Sequence, residues 1–236
     1  MIPQRPPRPR PIASALGPFL AVCLASCIFE TRYRPPLILF LGNSITEAPK
    51  NDSVGWPRAG GMAASAPDKD YVHQTLRILR AKGMDVDGVL GSRDCDICES
   101  VIGEHMENID ELDTLRPRYV VVQLGENSTL AQADGGQLTR EYKELLAAIF
   151  SRGKAEVFCV GQWDEASVNG PRNKAVRTAL LSHPSAHYVD ITALAGHKEN
   201  YGDSALYKDA GVLWHPGDAG MLGIAQALSA SIWEHR

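Results

Sequence analysis

A serine, an asparagine and a histidine, each set in a short polar segment near a glycine, are the residues of this chain best suited to chemistry. Gly42-Asn43-Ser44-Ile45-Thr46 follows the apolar run Leu37–Leu41. Gly42 lets the chain turn sharply, which exposes the Ser44 hydroxyl and lets the Ser44 N–H point into a site. In Gly125-Glu126-Asn127-Ser128, the Asn127 side-chain amide can donate to a developing oxyanion. In Trp214-His215-Pro216-Gly217-Asp218, His215 is a candidate general base. Each residue also has a plain structural reading: an N-cap serine, an Asx-turn and a surface-loop histidine.

These segments need a frame that brings them together. Leu37–Leu41 is a continuous apolar run between Pro36 and Gly42, the pattern of a strand buried on both faces. Similar runs are Val86–Leu90, Tyr119–Leu124, Glu156–Val160 and His187–Ile191. Helical spacing marks residues 70–81, 137–151, 174–181 and 221–233. Strands that alternate with helices predict an α/β fold, a parallel sheet of about five strands covered on both faces. Ligands of such sheets bind beyond the carboxyl ends of the strands. That rule selects the segments after Leu41, around 90–98, after Leu124 and after Ile191. The Gly-, Pro- and Ala-rich stretch 47–67 is a long loop after the first strand, where a functional loop is expected.

In this order the segments resemble the SGNH (GDSL-type) hydrolases. In that family a serine follows the first strand in a GDS or GNS block. A glycine follows the second strand, a GxND block the third, and a histidine precedes the last helix. The resemblance runs from about Leu37 to Trp233. The GNS form, with Gly60-Gly61-Met62-Ala63-Ala64-Ser65-Ala66 and Asp70-Tyr71-Val72-His73, resembles a bacterial branch rich in carbohydrate esterases. It implies a three-layer α/β/α sandwich of flavodoxin-like type, with Ser44 as nucleophile and His215 as base. Ser44 and Asn127 supply oxyanion donors, and Gly91 stands about where the family's glycine donor falls. The N–H groups of residues 94–98 are the rival donors. A serine hydroxyl is inert at its free pKa and needs such a base.

The family's aspartate, three residues before the histidine, is replaced by Val212. Asp209 is the first substitute as acid. Asp218 is a weaker one and is expected as the N-cap of the last helix. The alternative is a Ser-His dyad oriented by a backbone carbonyl, slightly preferred over an Asp209 triad. Trp56 and Trp214 are expected to line the substrate pocket, and Trp163 to lie there or in the core. His73 reads as a packing or surface residue.

The composition bounds the rest. The chain has 236 residues and a net charge of −4, but residues 1–26 hold three arginines, no acid and six of the 15 prolines. The remainder carries −7. Arg5–Arg10, the apolar stretch Ile12–Leu24 and Leu24-Ala25-Ser26-Cys27 read in turn as basic, apolar and small-residue zones of an export signal. Residues 24–27 resemble a lipobox, which implies lipidation at Cys27. The expected organisation is a signal over 1–27, a linker over 28–36 and one domain over 37–236. Cys95 and Cys98 read as a local disulfide or a free pair in an acidic loop, and Cys159 as a core thiol. No run is long enough to span a bilayer, so membrane attachment is expected through lipid only. The charge gives no footprint for nucleic acid. No P-loop, dinucleotide motif or HExxH is present, so neither cofactor nor metal is expected.

These features predict a serine esterase that removes acetyl or other short acyl groups from a carbohydrate or other small ester, outside the cytoplasm of a bacterium. An O-acyltransferase with the same Ser-His pair, or a non-catalytic glycan-binding lipoprotein, are the alternatives.

Overall fold

The structure, a computed structural model, describes residues 34–91, 109 and 111–236. The export signal, Cys27, Cys95, Cys98 and the N–H groups of 94–98 lie outside the described residues.

Five parallel strands form one sheet: β1 (Leu37–Gly42), β2 (Asp87–Leu90), β3 (Tyr119–Gln123), β4 (Glu156–Val160) and β5 (Ala186–Val189). Their order is β2-β1-β3-β4-β5. The chain moves outward from β1 in both directions, so the topological switch point lies between β1 and β3. In open parallel sheets, ligands bind at such a point.

The helices are α1 (Tyr71–Ala81), α2 (Glu111–Leu115), α3 (Leu130–Asp134), α4 (Gln137–Arg152), α5 (Pro171–Leu180), α6 (Ala210–Trp214) and α7 (Asp218–Glu234). Alternate strand residues point to opposite faces. Ile38, Phe40, Tyr119, Val121, Phe158 and Val160 pack against Tyr71, Val72 and Leu79 of α1 and Met221, Ile224, Leu228 and Ile232 of α7. Leu39, Leu41, Val120, Val122, Val157 and Cys159 pack against Leu138, Tyr142, Leu145 and Leu146 of α4 and Val176 and Ala179 of α5. The result is the expected three-layer sandwich. Cys159 is a free thiol in that second core.

Element boundaries follow local chemistry. Asp70 caps α1 by accepting from the His73 N–H at 2.8 Å. The helix expected from residue 174 starts at Pro171, since proline is preorganised for the first helical position and has no N–H to leave unpaired. Thr129 and Gln132 form a reciprocal capping box on α3. The last helix begins at Asp218 with Gly217 as its N-cap. The expectation that Asp218 is that cap is therefore corrected by one position.

The long segment after β1 is built rather than loose. It carries bridges between Ala48 and Gly60 and between Asn51 and Trp56, with a 3-10 turn at Asp52–Val54. Ala48, Trp56, Ala63, Tyr207 and Val212 form a third, smaller core. That core joins this segment to the stretch that leads into His215.

Candidate active site

The turn after β1 depends on Gly42. A Cβ there would fall 1.9 Å from Thr46 Oγ1 and 2.8 Å from the Gln123 carbonyl oxygen. With no side chain in the way, the N–H groups of Thr46 and Glu47 both donate to the Asn43 carbonyl at 2.8 Å. The Met62 N–H donates to the Ser44 carbonyl at 2.9 Å. Thr46 Oγ1 pairs with the Tyr71 hydroxyl at 2.8 Å. These bonds hold Ser44, half-buried, at the carboxyl edge of the sheet.

His215 reaches that serine from a position 171 residues away. Its Nε2 lies 2.7 Å from Ser44 Oγ, and its Nδ1 lies 2.6 Å from the Gly211 carbonyl oxygen. A carbonyl only accepts, so Nδ1 carries the proton. Nε2 is then the unprotonated nitrogen and accepts from the serine hydroxyl. Burial of the ring lowers the His215 pKa from 6.5 to about 4, against the smaller upward effect of the Gly211 carbonyl. The imidazole is therefore neutral, and competent as a base, well into the acid range.

Asp209 does not stand behind the histidine. It is the N-cap of α6, and its Oδ1 accepts from the N–H groups of Gly211 and Val212 at 2.8 and 3.1 Å. Residues 210–214 form a helical turn, and this turn aims the Gly211 carbonyl at His215. Asp218 is also engaged elsewhere, accepting from the Ser65 N–H at 2.8 Å and the Ser65 hydroxyl at 2.6 Å. The geometry is a Ser-His dyad with a backbone carbonyl in the acid's place.

Asn127 stands exposed on the turn after β3. Gly42 and Gln123 are register partners, so the Ser44 and Asn127 turns leave neighbouring strands at the switch point. Gly125 has φ +120°, and a Cβ there would meet Gln162 Oε1 at 2.7 Å. Gly91 is not available as an oxyanion donor. Its N–H donates to the Phe40 carbonyl at 2.9 Å, extending the β1–β2 ladder by one rung.

The tryptophans divide by burial. Trp56 is fully buried against Tyr207 in the small core, with Arg58 over its ring, so it does not line a pocket. An apolar side chain in the long loop was needed as that loop's own core. Trp163 is buried as well. Its indole N–H donates to the Trp214 carbonyl at 2.8 Å. Trp214 is partly exposed, its ring perpendicular to His215 at 5.1 Å. His73 lies outside this constellation and pairs with Asp70 at 2.8 Å.

Sequence reasoning missed the layer behind the Asn127 turn. Gln123, Glu126, Gln162 and Asn173 are buried polar residues there. The signal was present: Gln123 ends an otherwise apolar strand. Among the described residues, no three His, Cys, Asp or Glu side chains are grouped so as to hold a metal ion.

The model of the GDSL-like lipase/acylhydrolase family matches residues 40–222, and the chain belongs to that family. No curated protein matches it by sequence. Among solved structures, a family 3 carbohydrate esterase of Clostridium thermocellum is similar with TM-score 0.61 and 17% identity. That match covers 86% of this chain and 98% of the other. A carbohydrate esterase family 3 member from Talaromyces cellulolyticus gives TM-score 0.57 and 15% identity over 85% and 97%. The salicylyl-acyltransferase SsfX3 from a tetracycline biosynthetic pathway gives 0.53 and 15% over 86% and 56%. At these identities the likeness is one of fold. The family and the fold together make the protein an SGNH/GDSL-type hydrolase.

Proposed function

We propose that this protein is a serine esterase that removes acetyl or other short acyl groups, with an acylated carbohydrate as substrate. The observation that carries the catalytic half is the 2.7 Å contact of His215 Nε2 with Ser44 Oγ, with Nδ1 held on a carbonyl. Ser44 Oγ attacks the ester carbonyl while Nε2 takes its proton. The Ser44 N–H and the Asn127 amide donate to the resulting oxyanion. The imidazolium passes its proton to the leaving alcohol, which leaves Ser44 acylated. Water then attacks the acyl-serine with His215 again as base, releasing the acid and the free hydroxyl. The carbohydrate half is supported by the partly exposed Trp214 beside the histidine, an aromatic side chain on which a sugar ring can stack, and by the likeness of fold to carbohydrate esterases. The basic, apolar and small-residue zones of the N-terminus support an exported, lipid-anchored protein.

The test is acetate release from a panel of acetylated glycans and from p-nitrophenyl acetate, with and without an added sugar acceptor. Acetate release that Ser44→Ala abolishes is the expected result. Acyl transfer to the acceptor in preference to water would instead make the protein an O-acyltransferase. Glycan binding with no turnover of any ester would make it a binding protein.

A further inference from the structure

A buried carboxyl lies directly behind the Asn127 turn, and the acyl-transfer scheme gives it no task. Glu126 is 8% exposed. Its Oε1 accepts from Gln123 Nε2 at 2.5 Å and from the Trp163 N–H at 3.2 Å. Its Oε2 is buried and has no hydrogen-bond partner among the described residues. Gln162 Oε1 is in the same condition. The rest of Gln162 is engaged: its Nε2 donates to the Leu124 carbonyl at 2.9 Å, and its N–H to Asn173 Oδ1 at 2.8 Å. Two buried oxygens around one turn therefore lack a donor, and an unsatisfied buried oxygen is costly. A proton on Glu126 removes a buried charge, which is costly without a partner.

The charged and titratable neighbours leave the carboxyl in that state. Arg172, on α5, forms a two-bonded pair with Asp164 at 2.8 and 2.9 Å and donates to the Ser128 carbonyl. Its charge is shared with Asp164, and among the described residues no cation is bonded to Glu126. From α4, Tyr142 donates to the Leu124 carbonyl at 2.5 Å, and the buried Cys159 thiol on β4 is a further neighbour of Tyr142. Burial pushes Glu126 up from 4.5 to about 7. The N–H groups of Glu126 and Trp163 oppose that rise, Asp164 adds to it, and Arg172 opposes it.

We propose that Glu126 works as a neutral carboxylic acid, a positioning residue that holds the Asn127 turn and the Trp163–Trp214 link to His215, and that its ionisation loosens both and lowers turnover. The proposal rests on the esterase reading for its kinetic consequence. Once charged, Oε2 must find a donor or water. Glu126 can do so only by shifting, and Asn127 is its covalent neighbour. The same shift takes the acceptor from the Trp163 N–H, and the Trp163 indole holds the carbonyl of the residue before His215.

The test is kcat and KM for an acetyl ester from pH 5 to 9, in the wild-type protein and in Glu126→Gln. In the wild type, kcat is expected to fall at least about fivefold through a limb near pH 7 with KM nearly constant, and Glu126→Gln is expected to lack that limb. The same limb in both proteins, or none in the wild type, overturns the proposal. Asp164→Asn is the second variant: it removes a neighbouring negative charge, so the limb should move to lower pH, and an unmoved limb counts against the assignment. Infrared spectroscopy on the wild type reads the carboxyl without any turnover. A protonated-carboxyl C=O band titrating near pH 7 supports the neutral state, and its absence at pH 5.5 sinks it. A protein with that band but no ester hydrolysis would overturn the esterase reading while leaving Glu126 neutral.

Discussion

At the scale of single residues, the site is defined by what each polar atom is already bonded to. Asp209 illustrates this. By sequence it is the nearest acid before His215, yet its Oδ1 is occupied by two helix N–H groups. Asp209→Asn retains a good capping side chain, so kcat/KM should change by less than about tenfold. His215→Ala removes the base, and Ser44→Ala the nucleophile. Each should cost at least about 10³-fold in kcat under the same assay. Equal losses in Asp209→Asn and His215→Ala would restore an acid role to Asp209. A second expectation concerns pH. His215 must be neutral to accept a proton, and burial lowers its pKa to about 4. The acid limb of kcat/KM should therefore fall near pH 4 rather than near the ordinary histidine value of about 6.5. A limb near 6.5 would show a ring more hydrated than the structure has it. The Ser44–His215 pairing was legible because glycine and polar residues interrupt apolar runs at both places. Gly211 was not legible, since any residue type has a carbonyl and only the α6 turn decides which one faces the ring.

At the scale of elements, the sheet and the long helices could be read from periodicity, and the short pieces could not. Runs such as 119–122 in β3 are apolar on both faces, which marks a central parallel strand. The five-residue helices α2, α3 and α6 are too short for a 3.6-residue period to declare itself, and α6 is the one that orients His215. The segment 47–67 read as a loop because it is rich in glycine, proline, alanine and serine. Its order comes from contacts distant in sequence. Tyr207 donates its hydroxyl to the Ala64 carbonyl at 2.8 Å across 143 residues, and Ser65 bonds Asp218 across 153. Such contacts carry no local signal. They tie the segment after Ser44 to the segments on either side of His215, so the esterase reading gives the small Trp56 core a consequence for catalysis. Trp56→Ala should lower unfolding free energy by about 3–5 kcal/mol, as expected for a buried tryptophan. It should also reduce kcat, because Val212 and the α6 turn rest on that core. Chemical denaturation measures the first effect and steady-state kinetics the second. A stable variant with full activity would separate the long segment from the site.

At the scale of the whole molecule, the two buried ionisable groups near the site act on stability in opposite directions. His215 falls from 6.5 to about 4 on folding. The unfolded chain thus binds the extra proton between those values. Its contribution to stability is complete above pH 6.5 and is lost as pH falls towards 4. Glu126 rises from 4.5 to about 7. Its proton favours the folded state, and that advantage is complete below pH 4.5 and is lost as pH rises towards 7. Each displacement is worth about 3 kcal/mol, so between about pH 4.5 and 6.5 the two slopes nearly cancel. Glu126→Gln removes one of them. The difference in unfolding free energy, variant minus wild type, should then increase by about 3 kcal/mol as pH rises from 4.5 to 7. His215→Gln should show the opposite trend, its deficit relative to wild type growing as pH rises from 4 to 6.5. Urea titrations at each pH, followed by tryptophan fluorescence, give both differences directly. A pH-independent difference for Glu126→Gln would mean that Glu126 has the same pKa folded and unfolded. The fold would then hold no neutral carboxyl behind the Asn127 turn, and any fall in activity above neutrality would need another source.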